Sequence, residues 1–157
     1  MKLYGTSEIR NIALLGHIGS GKTTLSEAML VISGAKDKMG STLSGTTTSD
    51  YHKEEREKHF SIRLSSLATE YKGHKYNILD FPGYEDFKGD IYISLDIIDG
   101  AVLVVDGSSG IELGTITSWK LLEENKIPRI IFINKMNKGF INYKKLLEEL
   151  KEKFGKK

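Results

Sequence analysis

A chain of 157 residues is about one domain's worth, and 39% apolar with 28% charged residues excludes a disordered chain. With 23 basic against 21 acidic residues the net charge is +2, so charge alone points to neither nucleic acid nor a membrane surface. The absence of Cys excludes disulfides, thiolate metal sites and a Cys nucleophile, and it fits a cytoplasmic protein. The longest apolar run, 101–105, is far short of the ~20 residues that cross a bilayer.

Residues 9–16 (IRNIALLG) hold a short apolar run that ends in a glycine-rich loop. Residues 22–33 read as a helix, with Leu25, Ala28, Met29 and Ile32 at helical spacing. Residues 34–61 are polar, with no amphipathic period, and a stretch of that length inside a domain is usually functional or mobile. Two strand-like runs, 62–71 and 75–79, are joined by Lys72-Gly73-His74, which is a hairpin signal. A loop over 80–90 and a short helix over 91–98 follow. Residues 101–105 (AVLVV) form a buried strand. Residues 111–124 form a helix whose apolar face takes Leu113, Ile116, Trp119 and Leu122. Pro128 opens a strand over 129–133 (RIIFI). In the last helix Tyr143, Leu146, Leu147, Leu150 and Phe154 recur at i, i+3, i+4, i+7 and i+11. Asn142 can cap it and Gly155 can end it. Apolar strands alternating with helices imply an α/β three-layer sandwich. Its sheet is mostly parallel, with one antiparallel hairpin strand, and ligands bind beyond the carboxyl ends of the strands.

Gly16-His17-Ile18-Gly19-Ser20-Gly21-Lys22-Thr23 matches G-x-x-x-x-G-K-[ST]. The glycines let backbone N–H groups curl round an anion, and the following helix aims its positive end at it. Lys22 reaches the β- and γ-phosphates of a nucleotide, and the Thr23 hydroxyl ligates Mg²⁺. Four fixed positions recur by chance in roughly one in 200 chains of this size.

Two further motifs end strands. Asp80-Phe81-Pro82-Gly83 offers a carboxylate for Mg²⁺ through water, and an unshielded N–H at Gly83 for a γ-phosphate. Asn134-Lys135-Met136-Asn137 stands where P-loop GTPases carry their N-K-x-D guanine reader. The final Asp, which accepts from guanine N1–H and N2–H₂, is replaced by Asn137. An amide offers one acceptor and one donor there, and the mismatch costs about 1–3 kcal/mol if buried.

With three motifs in order, the chain resembles the GTP-binding domain of translation elongation factor G over nearly its whole length. It is most similar to the elongation-factor-G-like second-type branch, and more distantly to the ribosomal-protection tetracycline-resistance proteins. The resemblance implies phosphate contacts from His17, Ile18, Gly19, Ser20, Gly21, Lys22, Thr23 and Thr24. It implies base contacts from Asn134, Lys135 and Asn137. Mg²⁺ would be held by Thr23, Ser61 and Asp80, with Ser61 replacing the family's switch Thr. Residues 34–61 would be the first switch, ordered by γ-phosphate and Mg²⁺. The catalytic set would be Lys22, Thr23, Ser61, Asp80, Gly83 and Tyr84. Tyr84 replaces the His that positions the attacking water, and Gly19 replaces an Asp.

The expected activity is GTP hydrolysis, slow alone and activated by the ribosome, a partner implied by resemblance only. No membrane and no sequence-specific nucleic-acid contact are expected. Two alternatives stand beside it. Tyr84 favours a nucleotide-binding switch with little hydrolysis. Asn137 favours a relaxed base preference, towards xanthine. The resemblance also implies a further strand after the last helix, so the chain is expected to be a truncated domain with an unfinished sheet edge.

Overall fold

The computed structural model describes residues 2–49, 61, 63–83, 89–139 and 141–155. The expectations for Tyr84 and for residues 50–60 and 62 lie outside the described residues.

The elements are β1 (Ile9–Leu15), α1 (Lys22–Ile32), β2 (Ser65–Tyr71), β3 (His74–Asp80), α2 (Gly89–Ser94), β4 (Gly100–Asp106), α3 (Leu113–Glu124), β5 (Arg129–Asn134) and α4 (Tyr143–Phe154). Short 3-10 turns cover Thr6–Glu8 and Leu95–Ile97. The sheet order is β2-β3-β1-β4-β5. β1 runs parallel to β3 and β4, β5 runs parallel to β4, and β2 alone is antiparallel, against β3. The hairpin turns on Lys72 and Gly73, with φ of +49° and +83°. Positive φ at both turn residues matches the right-handed twist of the strands.

Period-two alternation splits the apolar strand residues between two layers. Ala13, Leu15, Leu79, Leu103 and Val105 face Leu121 and Leu122 of α3 and Leu146, Leu150 and Phe154 of α4. Leu14, Leu67 and Ile78 face Leu30 of α1, with Leu25 and Met29 packed at the margin. Each fully buried Leu or Ile contributes about 1.5–3 kcal/mol. Trp119 is part-buried, stacked on Phe154 with ring centroids 4.5 Å apart, and the Arg129 guanidinium lies 4.0 Å above it.

Several expectations need correction. Ile32 is 75% exposed and Leu113 61% exposed, so neither lies on an inward face. Ile32 lies two residues beyond the buried Leu30, and Leu113 two residues before the buried Thr115, so each points to the outer side of its helix. Tyr143, in the first turn of α4, is half exposed. The inward stripe of α1 is instead Lys22, Ser26, Glu27 and Leu30, mostly polar. Asp80 ends β3 rather than opening a loop, paired in register with Leu14. β2 starts at Ser65, later than the run from residue 62 suggested. The helix expected over 91–98 is α2 continued as the 3-10 turn Leu95–Ile97. β5 is the edge of the described sheet, and its Ile130 and Phe132 are 65% and 40% exposed.

Candidate nucleotide site

β1, β3, β4 and β5 end on one side of the sheet, at Leu15, Asp80, Asp106 and Asn134. The phosphate loop starts where β1 stops. Gly16 has a φ of +142° and approaches the Val104 backbone, so no side chain fits there. Gly21 has a φ of +99° and is the residue before α1, with its missing side chain replaced by the Asn134 amide. The first N–H groups of α1 have no carbonyl within their own helix and face the loop.

Lys22 is buried, and its ammonium donates to the Gly16 carbonyl at 3.1 Å and the His17 carbonyl at 2.9 Å. Burial pulls its pKa down to about 8, with the Asp80 carboxylate opposing that fall. A β-carbon on Gly83 would stand 2.6 Å from Lys22 Nζ and 2.6 Å from Ile18 Cα. The residue after Asp80-Phe81-Pro82 therefore closes directly over the loop. Thr23 Oγ1 and Ser61 Oγ lie 3.2 Å apart. Ser26 Oγ donates to the Thr23 carbonyl at 2.9 Å and lies 3.3 Å from Asp80 Oδ2. Two hydroxyls and a carboxylate are hard oxygen donors of the kind Mg²⁺ takes, so Thr23, Ser61 and Asp80 fit that ion.

The loop after β5 grips the same phosphate loop. Asn134 Nδ2 donates to the Ser20 carbonyl at 2.9 Å. Lys135, with a φ of +57°, donates through Nζ to the Gly19 carbonyl and to Asp106 Oδ2, 2.6 Å away in the second case. Burial raises the Asp106 pKa, but hydrogen bonds from Lys135 and Ser108 outweigh it and leave the group at about 2. Asp106 also accepts from Ser108 N–H at 2.9 Å and Ser108 Oγ at 2.6 Å. His17 points away from the loop's centre. Its Nδ1 accepts from Gly114 N–H at 3.2 Å, and its Nε2 faces Glu112 at 3.4 Å. This ties the phosphate loop to the start of α3.

The structure thus brings together His17 to Thr23, Ser61, Asp80, Gly83, Asn134 and Lys135. Thr24 is exposed on the first turn of α1, and Asn137 is exposed at the rim. The sequence reading missed Ser26, Glu27 and Asp106. The signal for the first two was available, since polar residues at positions 22, 26 and 27 share one face of a helix read as apolar. Asp106 had no local signal and becomes visible through its register with Asn134.

A phosphate loop at the end of a first strand, a carboxylate ending a neighbouring strand, and an Asn-Lys clasp from the edge strand define a P-loop nucleotide-binding domain. The family described as "Elongation factor Tu GTP binding domain" matches residues 7–157, and the chain belongs to it. The mitochondrial ribosome-releasing factor 2 of Drosophila ananassae is 41% identical over 148 residues, which are 94% of this chain and 20% of that protein. Elongation factor G of Granulibacter bethesdensis is 38% identical over 153 residues, 98% of this chain and 22% of that protein. A crystal structure of a Thermus thermophilus protein superposes with a TM-score of 0.89 at 40% identity, covering 95% of this chain and 22% of that one. The chain spans about a fifth of the length of these relatives. It is a GTP-binding domain of that family. Among the described residues no helix is long and apolar enough to cross a membrane.

Proposed function

We propose that the chain binds and hydrolyses GTP as the switch domain of an elongation-factor-G-like translation factor, in the cytoplasm, with Mg²⁺ as cofactor and the ribosome as activating partner. The observation that carries this reading is the double grip on one loop. Lys22 and Gly83 converge on it from the phosphate side, and Asn134 and Lys135 hold it from the base side.

Lys22 would exchange the Gly16 and His17 carbonyls for the β- and γ-oxygens of the nucleotide, whose charge would raise its pKa back towards the ordinary lysine range. Gly83 offers its N–H to the γ-phosphate. Thr23, Ser61 and Asp80 would hold Mg²⁺, which when bound offsets charge on the transferring phosphoryl group. The phenol of Tyr84, with an ordinary pKa of about 10, can orient a water but is a poor base at pH 7. Phosphoryl transfer relies on positioning, so slow hydrolysis is compatible with it. Asn137 favours a second reading, in which xanthine, whose carbonyl accepts from an amide N–H₂, competes with guanine.

Titration of GTP, XTP and ATP, with phosphate release followed for each and with ribosomes added in parallel, tests the proposal. Mg²⁺-dependent GTP binding and ribosome-stimulated release support it. No phosphate from bound GTP under either condition would leave only a binding module. Unchanged GTP affinity in Lys22→Ala would rule out this loop as the nucleotide site.

A further inference from the structure

Glu27 lies in the middle of α1, wholly buried, and the chemistry above gives it no task. Its Oε2 accepts from Lys36 Nζ at 2.6 Å and from Gly40 N–H at 2.7 Å. Its Oε1 accepts from Thr48 N–H at 2.6 Å, and the Thr48 hydroxyl bonds to it as well. Lys36 Nζ also reaches Thr48 Oγ1 at 3.0 Å. The approach is too close for a side chain at residue 40. A β-carbon there would stand 2.7 Å from Glu27 Oε2 and 2.8 Å from Thr47 Cα. Further along, Ser65 Oγ at the start of β2 donates to the Ser49 carbonyl at 2.8 Å, with Thr47 and Ser49 buried.

Residues 34–49 contain no helix or strand, yet their backbone N–H groups must find acceptors. One carboxylate from the nucleotide-bearing helix supplies two of them. An unpaired buried carboxylate would be expensive, and this one is matched by a cation and by N–H and O–H donors. The same helix holds the far end of the polar segment through Thr23 and Ser61. Residues 36–48 and Ser61 are therefore both tied to α1, the first at Glu27 and the second at the residue that follows Lys22.

We infer that Glu27 is a positioning residue for the nucleotide-responsive segment. It roots residues 36–48 on α1, the helix whose Thr23 meets Ser61, and so favours the arrangement in which Ser61 stands at Thr23. The inference rests on the functional reading above. It implies that Glu27 matters for the triphosphate state more than for the diphosphate state, because a ligand shifts a conformational equilibrium only by its differential affinity for the two states.

The test uses the full chain and the variants Glu27→Gln, Lys36→Met and the double variant, with a thermal melt as a folding check. Affinities for Mg²⁺·GTP and Mg²⁺·GDP are measured, together with KM and kcat. Glu27→Gln is expected to weaken GTP roughly tenfold, leave GDP within about twofold, and raise the Mg²⁺ concentration needed for half-saturation of the GTP complex. Lys36→Met should move GTP in the same direction by less, and the double variant should be no worse than Glu27→Gln alone. GTP and GDP weakened by one common factor, or neither weakened, would overturn the inference and leave Glu27 a purely structural group. If Glu27→Gln fails to fold, Lys36→Met decides by the same criterion. A wild-type chain that binds no GTP overturns the functional reading and this inference together. A wild-type chain that binds GTP beside indifferent variants overturns this inference alone.

Discussion

Lys135 sits in the left-handed region at φ +57°, where a β-carbon is disfavoured. Its ammonium is fixed between the Gly19 carbonyl and Asp106. Asp106 thus positions a lysine that touches the phosphate loop. Asp106→Asn is expected to weaken GTP and XTP alike by about tenfold, because the lost pair fixes Lys135 on the phosphate loop and offers no hydrogen bond that tells guanine from xanthine. Paired titrations of the two nucleotides check this, and a change in their ratio would count against it. Asn137→Asp acts the other way. It restores an acceptor for both guanine donors, and the GTP:XTP affinity ratio should rise by about ten- to a hundredfold, the size of a relieved polar mismatch. The same titration reads it, and a constant ratio removes Asn137 from base selection. The Asn-Lys pair was legible in the sequence because its spacing is local. Asp106 was not, because only the β4–β5 register sets Asp106 beside Asn134.

Helices differ in how much they disclose. α4 was readable because its buried residues, Leu146, Leu150 and Phe154, are all apolar and follow the helical period. Its ends were readable too. Asn142 Oδ1 accepts from Lys145 N–H at 3.1 Å, and Gly155 leaves the helix at φ +87°. Removing that cap with Asn142→Ala should cost about 1 kcal/mol. In a chain of this size that lowers Tm by roughly 2–4 °C, measurable by a thermal melt, with nucleotide affinity unchanged. α1 hid its logic because its buried face carries Lys22, Ser26 and Glu27, polar groups whose partners lie on the phosphate loop, on β3 and on residues 36–48. Hydrophobic periodicity sees only its margin, Leu25 and Met29. A functional helix in this fold turns its polar side inward, and pattern reading then assigns the wrong face.

At the scale of the whole molecule, two buried carboxylates join segments distant in sequence. Glu27 fastens residues 36–48 to α1, and Asp106 fastens the loop after β5 to the loop after β4. Burial alone would raise both pKa values. At Glu27 the hydrogen bonds of Lys36, Thr48 and Gly40 outweigh it and bring the group from 4.5 to about 2. At Asp106 those of Lys135 and Ser108 bring it from 3.8 to about 2. Both folded values lie below the unfolded ones. Their contribution is therefore complete above about pH 4.5, falls as the pH drops through the window below it, and is gone once the pH passes below about 2. The shifts correspond to on the order of 3 kcal/mol at Glu27 and 2 kcal/mol at Asp106. A domain with 5–15 kcal/mol in hand would feel that loss. Urea unfolding between pH 6 and pH 3 should show stability nearly flat at first and then falling steeply below about pH 4. In Glu27→Gln the curve should start lower and fall less, since one of the two titrating groups has gone. An identical slope in wild type and variant would mean that the acid sensitivity resides elsewhere in the chain.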